Sequence, residues 1–177
     1  MSTHDRILDA AFTITAEQGW GGITMGRLGE AAGVSRQSVY NEFGNKQQVA
    51  QALITRELLR FLEVVDEGLA AGDSPADSVD RAGTAVLALA AHNPLLKAAL
   101  GAAAGSPSPL LPLLTSQSLP LLDTATARVE AGLLAAHPDV AGPHLTDAVD
   151  VVVRVVLSHV VQPGQDPDLR RLAERLF

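Results

Sequence analysis

The chain has 177 residues, a formal net charge of −7, and 47% hydrophobic but only 3% aromatic residues. That length holds one large domain or two small ones around a mostly aliphatic core, and the absence of cysteine excludes a disulfide framework and thiol chemistry. The polar start, MSTHDRILD, does not read as a signal peptide and no apolar run reaches spanning length, so the sequence predicts a soluble, cytoplasmic protein with no membrane partner.

From about Thr3 to Gln18, the apolar residues Ile7, Leu8, Ala11, Phe12 and Ile14 recur at helical spacing, and Gly19 ends the run. Trp20 reads as packing for that helix end. Thr24 then stands where a helix starts, its hydroxyl able to take up an orphan amide of the first turn. The helix runs from about Met25 to Ala32, and Gly33 supplies the left-handed residue that ends it. Gly29, four residues before Gly33, marks a close backbone approach by the next helix. Ser35 caps a second short helix that Gly44 terminates. Val39 and Phe43, four apart, face inward. The opposite face carries Arg36, Gln37, Ser38, Tyr40 and Asn41, donors and acceptors suited to base edges and phosphates. Asn45 and Gln48 form a capping-box variant at the start of a third helix. Lys46 in that first turn opposes the helix dipole unless a phosphate lies between it and the free amides.

These residues, TMGRLGEAAGVSRQSVYNEFGNK with the leading helix before them, resemble the N-terminal domain of TetR-family transcriptional repressors. The resemblance covers roughly the first fifty residues. By position it implies that Tyr40 and Lys46 contact phosphate and that Thr24 is a phosphate-contacting cap. It places Arg36, Gln37, Ser38 and Asn41 where family members touch bases or backbone, and Ser35 joins this set at the cap. The glycine-rich first helix of the motif is a departure.

Residues 1–50 hold four Lys/Arg against five Asp/Glu, a net of −1, which leaves −6 for the remainder. Phosphate contacts drive nonspecific affinity, so weak binding to bulk DNA and reliance on a specific site and on two heads are expected.

After Asn45 a long amphipathic helix reaches to about Ala71, long enough at about 39 Å to act as a lever on the head. Prolines at 75, 94, 120, 143 and 167 then punctuate the chain at first-turn positions. Ser74, Asn93 and Asp166 are plausible caps before three of them. Helices are expected near 75–92, 94–104, 118–136, 143–162 and 167–176, with a mobile loop at Gly105–Pro112. In the helix DAVDVVVRVVLSHVV the apolar surface exceeds what one side of a monomer buries. A two-fold homodimer is therefore expected, built from Val149, Val153, Val156, Leu157 and Val160 with Leu172 and Leu176 of the last helix. The TetR resemblance implies the same four-helix interface.

The sequence carries no HExxH, CxxC, GxSxG or Walker-type pattern, so no catalytic residue, metal site or cofactor is assigned. The resemblance implies a small-molecule effector held in the helical body. The aliphatic composition favours an apolar or amphipathic one, with Thr84, His92, Gln117, Arg154 and His159 as polar candidates. Asp150 and Arg154, four apart, most simply pair with each other.

The resulting expectation is an all-α chain. A three-helix helix-turn-helix DNA-binding domain at 1–47 precedes a helical effector-binding and dimerisation domain at 48–177. The function is a ligand-responsive regulator, a repressor in the first instance, acting as a homodimer on a near-palindromic double-stranded DNA operator. Two other readings compete: a DNA-binding regulator whose body docks a protein partner, and an all-helical small-molecule or lipid carrier.

Overall fold

The computed structural model describes residues 1–100 and 119–177. Nine α-helices run through those residues: α1 (Thr3–Gln18), α2 (Met25–Ala32), α3 (Arg36–Phe43), α4 (Lys46–Ala70), α5 (Pro75–His92), α6 (Pro94–Leu100), α7 (Leu119–Ala136), α8 (Leu145–Val161) and α9 (Leu169–Leu176). Short 3₁₀ turns at Trp20–Gly22 and Pro138–Val140 complete them, and no strand occurs among the described residues. The all-α expectation is met. The loop placed at Gly105–Pro112, and Gln117, lie outside the described residues.

The chain divides into two compact units. The first holds α1 to α3, α4 as far as Leu58, and α6; the second holds the rest of α4 with α5, α7, α8 and α9. This partition differs from a cut at residue 47, because the first thirteen residues of α4 and the separate helix α6 pack with the N-terminal helices.

In the first unit Ile7, Leu8, Ala11 and Ile14 of α1 meet Leu28 of α2, Val39 and Phe43 of α3, and Val49 and Leu53 of α4. Leu95 and Ala99 of α6 join the same core. Burying each of these larger aliphatic side chains contributes about 1.5–3 kcal/mol, enough in sum to hold helices as short as α2 and α3, which would not persist alone.

In the second unit Leu69, Val79, Ala82, Leu133, Val149, Val152, Val153 and Ala173 form one cluster, with Val86, Val156 and Leu169 beside it. Polar contacts fix the helices around it. Arg128 of α7 forms a two-pronged ion pair with Asp66 of α4. Ser78 donates to the Leu69 carbonyl at 2.8 Å and lies 2.8 Å from His137 Nε2.

Local capping explains most boundaries. Ser74 accepts from the Asp77 amide, and Asn93 Oδ1 accepts from the amides of Leu95 and Leu96, as the residues before Pro75 and Pro94 suggest. Two starts differ from expectation. α9 begins at Leu169, capped by Asp168, which accepts from the Arg171 amide at 2.9 Å; Asp166 is not its cap. α8 begins at Leu145, two residues beyond Pro143, with no side-chain cap.

Candidate nucleic-acid interface

The turn between α2 and α3 is built by three local devices. Thr24 Oγ accepts from the Arg27 amide at 3.2 Å and starts α2. Gly33, at φ 64°, ends α2 in the left-handed region. Ser35 Oγ accepts from the Ser38 amide at 3.0 Å and starts α3. Gly29 permits the tight crossing: a Cβ there would lie 2.8 Å from the Val34 carbonyl oxygen and 3.2 Å from the Arg36 nitrogen. The other glycine of α2, Gly26, has no such neighbour among the described residues.

On α3, Val39 is fully buried and Phe43 nearly so. The helix is thereby held with Arg36, Gln37, Tyr40 and Asn41 exposed, and Ser38 half-buried at the edge. The exposed side chains form two i,i+4 pairs. The Arg36 guanidinium lies over the Tyr40 ring at 5.5 Å, with its Nη2 3.4 Å from the Tyr40 hydroxyl. Gln37 Nε2 donates to Asn41 Oδ1 at 2.9 Å. Ser38 Oγ instead lies 2.8 Å from Ser35 Oγ. Thr24 and Ser35 are exposed while their oxygens cap helices.

Lys46 follows a course that its position in the α4 first turn does not reveal. Its Nζ donates to the Trp20 carbonyl at 3.0 Å and lies over the Trp20 ring at 5.2 Å. The side chain is half-buried, and this desolvation lowers its pKa from the ordinary lysine value. The conflict with the helix dipole is thus eased inside the fold, by a carbonyl and an indole face. Two of the ammonium's three protons remain for another acceptor. Trp20 itself is buried packing at the end of α1, as its position suggests.

Three supporting contacts carried no signal in the sequence. Arg6 of α1 donates to the carbonyls of Ala32 and Gly33. Arg27 donates to the Gly22 carbonyl at 2.8 Å and to Gln18 Oε1 at 2.5 Å. His4 Nδ1 lies 3.0 Å from Glu42 Oε1 while its ring packs on Phe43 at 4.7 Å between centroids. Glu42, the one acid on α3, is therefore paired beside the exposed polar face. The partners of Arg6 and His4 lie 26 to 38 residues away, beyond any local spacing rule.

Residues 7–53 match the family model "Bacterial regulatory proteins, tetR family", and residues 75–176 match "Bacterial Tetracyclin repressor, C-terminal domain". The chain belongs to the TetR family. Among TetR-family relatives, it is similar to the HTH-type transcriptional regulator AlkX of Mycobacterium tuberculosis, at 30% identity over 98% of this chain and 82% of the relative. It is also similar to the HTH-type transcriptional repressor AcnR of Corynebacterium glutamicum, at 38% identity over 37% of this chain and 35% of that one. The crystal structure of the TetR family repressor AlkX from Dietzia sp. strain DQ12-45-1b shares the fold, with a TM-score of 0.75 at 24% identity, covering 98% of this chain and 92% of the other. TetR-family proteins are DNA-binding transcriptional regulators and not enzymes.

The residues expected to serve the TetR-family body are placed less favourably. Val149, Val153 and Val156 do not stand at an outer surface: they are buried among this chain's own helices. The reason is that α8 is apolar around most of its circumference, and its best-covered stripe packs on its own unit. Leu157 is exposed, Val160 is half-buried, and Val151, not singled out by the sequence, is 42% exposed. Leu172 and Leu176 are half-buried against the core.

Four of the polar pocket candidates lie among the described residues. Thr84 is exposed because the buried stripe of α5 runs through Ser78, Val79, Ala82, Gly83 and Val86 and misses it. His92 is exposed at the end of α5, its Nδ1 3.0 Å from the Ala88 carbonyl. His159 is half-buried, its Nδ1 2.8 Å from the Val155 carbonyl. Arg154 is exposed and pairs with Asp150 at 2.6 Å, as the i,i+4 spacing suggests. No helix of the described residues is long and apolar enough to cross a membrane, and no three of their histidine and acidic side chains cluster to hold a metal ion.

Proposed function

We propose that the chain binds a near-palindromic operator as a homodimer, with α3 of each subunit in the major groove, and that a small apolar or amphipathic effector releases it. The observation that carries this is the division of α3: Val39 and Phe43 lie inside, while Arg36, Gln37, Tyr40 and Asn41 stand outside in a continuous polar face. Arg36, Tyr40 and Asn41 meet bases or phosphates, with Gln37 bonded to Asn41 on the same face and Ser38 at its edge. Thr24, Ser35 and Lys46 hold the backbone at the ends of α2, α3 and α4. In functional terms residues 1–47 are the reading head and 48–177 the effector-binding and dimerisation body.

Val151 and Leu157, exposed on α8, with Val160 and the rims of Leu172 and Leu176, form the surface that a second subunit covers. The aliphatic body supports an apolar effector. Its binding lowers operator affinity by reciprocal linkage: whatever the effector does to DNA binding, DNA does to effector binding.

Selection of bound fragments from random DNA with the purified chain tests the reading. The expected product is two inverted half-sites about one helical turn apart or slightly more. A single unpaired half-site, or a folded monomer by sedimentation at micromolar concentration, contradicts the dimer. Failure to enrich any sequence contradicts DNA recognition itself.

A further inference from the structure

We propose that Asn41 reads an adenine and that Gln37 is a positioning residue that fixes the orientation in which it does so; this rests on the DNA-binding reading above. An exposed asparagine amide is ordinarily free to turn either its oxygen or its nitrogen towards a given base atom. Here the Gln37 Nε2–H donates to Asn41 Oδ1 at 2.9 Å. The bond holds the oxygen on the Gln37 side and occupies one of its two lone pairs. Among the described residues the second lone pair and both Nδ2 protons remain available.

An acceptor beside a donor in one plane complements the major-groove edge of adenine, where the N6 amino group donates and N7 accepts. Guanine offers two acceptors there, N7 and O6, and sets its O6 against Asn41 Oδ1. The neighbouring side chains leave this arrangement undisturbed. Arg36 is engaged with Tyr40, and Ser38 with Ser35, so neither competes for Gln37 or Asn41. The outer face of α3 thus divides into a cationic–aromatic pair and a neutral amide pair, and only the amide pair has the donor–acceptor order of adenine.

The test repeats the random-fragment selection with the full chain as wild type, Asn41→Ala, Gln37→Met and the double variant, with thermal unfolding of each showing that the fold is intact. The wild-type half-site is expected to contain an adenine whose preference is lost in Asn41→Ala, by roughly tenfold to a hundredfold. Gln37→Met is expected to weaken preference at that same base pair, and the double variant to be no worse than Asn41→Ala. Placing 7-deazaadenine at the position removes the N7 acceptor; it should weaken the wild type and leave Asn41→Ala unaffected. If Gln37→Met alters a different base pair, Gln37 reads its own base and the positioning role is overturned. If 7-deazaadenine has no effect, or the site is indifferent to Asn41, the adenine assignment fails while DNA recognition stands. If the wild type enriches nothing, the DNA-binding reading falls first and this assignment with it.

Discussion

Arg6 Nη2 donates to the Gly33 carbonyl at 3.2 Å, and to that of Ala32 as well, across 27 residues of chain. These carbonyls belong to the end of α2, where the last turn has no intrahelical partner and a cation complements the dipole. The guanidinium thus ties α1 to the turn that aims α3. Arg6→Met, which keeps much of the stem and removes the donors, should lower stability by about 1–2 kcal/mol in urea unfolding. It should also weaken operator binding, because the turn that aims α3 loses its tie to α1. Unchanged stability would show that solvent satisfies the α2 end equally well.

Thr15 presents the opposite situation. Its side chain is fully buried in the first unit, and its hydroxyl oxygen has no hydrogen-bond partner among the described residues. A buried polar group without a partner costs about 1–3 kcal/mol, whereas its apolar isostere costs nothing of that kind. Thr15→Val should therefore raise the urea midpoint, by about 1 kcal/mol in stability. A loss of stability instead would mean that the hydroxyl contributes a bond or a shape that valine lacks.

How far the sequence discloses such features depends on their range. The starts and ends of α2 and α3 were legible because Thr24, Gly33, Ser35 and Gly44 act on backbone groups within a few residues of themselves. At α9 two acids compete within three residues, and only the fold shows that Asp168 rather than Asp166 meets the free amides. The destination of Lys46 was not legible, because Trp20 lies 26 residues away. On α8 the ambiguity has another cause. A helix rich in valine on nearly every side carries no periodic mark that separates buried positions from exposed ones, so Val149, Val153 and Val156 could not be told from Val151 and Leu157.

Asp77 gives the second unit a dependence on acid. Its carboxylate is buried and accepts from Arg81 at 2.6 Å, from the Asp73 amide at 3.1 Å and from Arg170 of α9. The Arg81 hydrogen bond is the main cause that lowers its pKa from 3.8 to about 2, with the Asp73 amide and Arg170 adding to it. The folded value lies below the unfolded one, so the stabilisation is complete above about pH 4 and is lost as pH falls towards about 2. Wild-type stability should decline through that window. Asp77→Asn should be less stable at neutral pH and show a shallower acid decline. Both arginines are about half exposed, so added salt should reduce the difference between the two proteins. Parallel pH profiles would remove Asp77 from the account.

The same bookkeeping of cations sets the salt dependence of DNA binding. The head has four Lys/Arg residues, and Arg6 and Arg27 are committed to carbonyl and amide oxygens of the head itself. Arg36 is exposed, and Lys46 retains protons beyond its bond to Trp20, so on the proposed reading each head has two cations to offer phosphate. For two heads, about four phosphates are neutralised, and log Kobs should fall with log salt at a slope no steeper than about −4. Lys46→Ala should weaken binding to all sequences alike and reduce the slope by about 1 per head, whereas Gln37→Met should change sequence preference and leave the slope intact. A much steeper wild-type slope would mean that further cations reach phosphate, from the body or by Arg6 or Arg27 leaving its carbonyl when DNA binds; the second route has its own signature. It predicts that DNA loosens the α1–α2 contact, which hydrogen exchange at Ala32 and Gly33 would register.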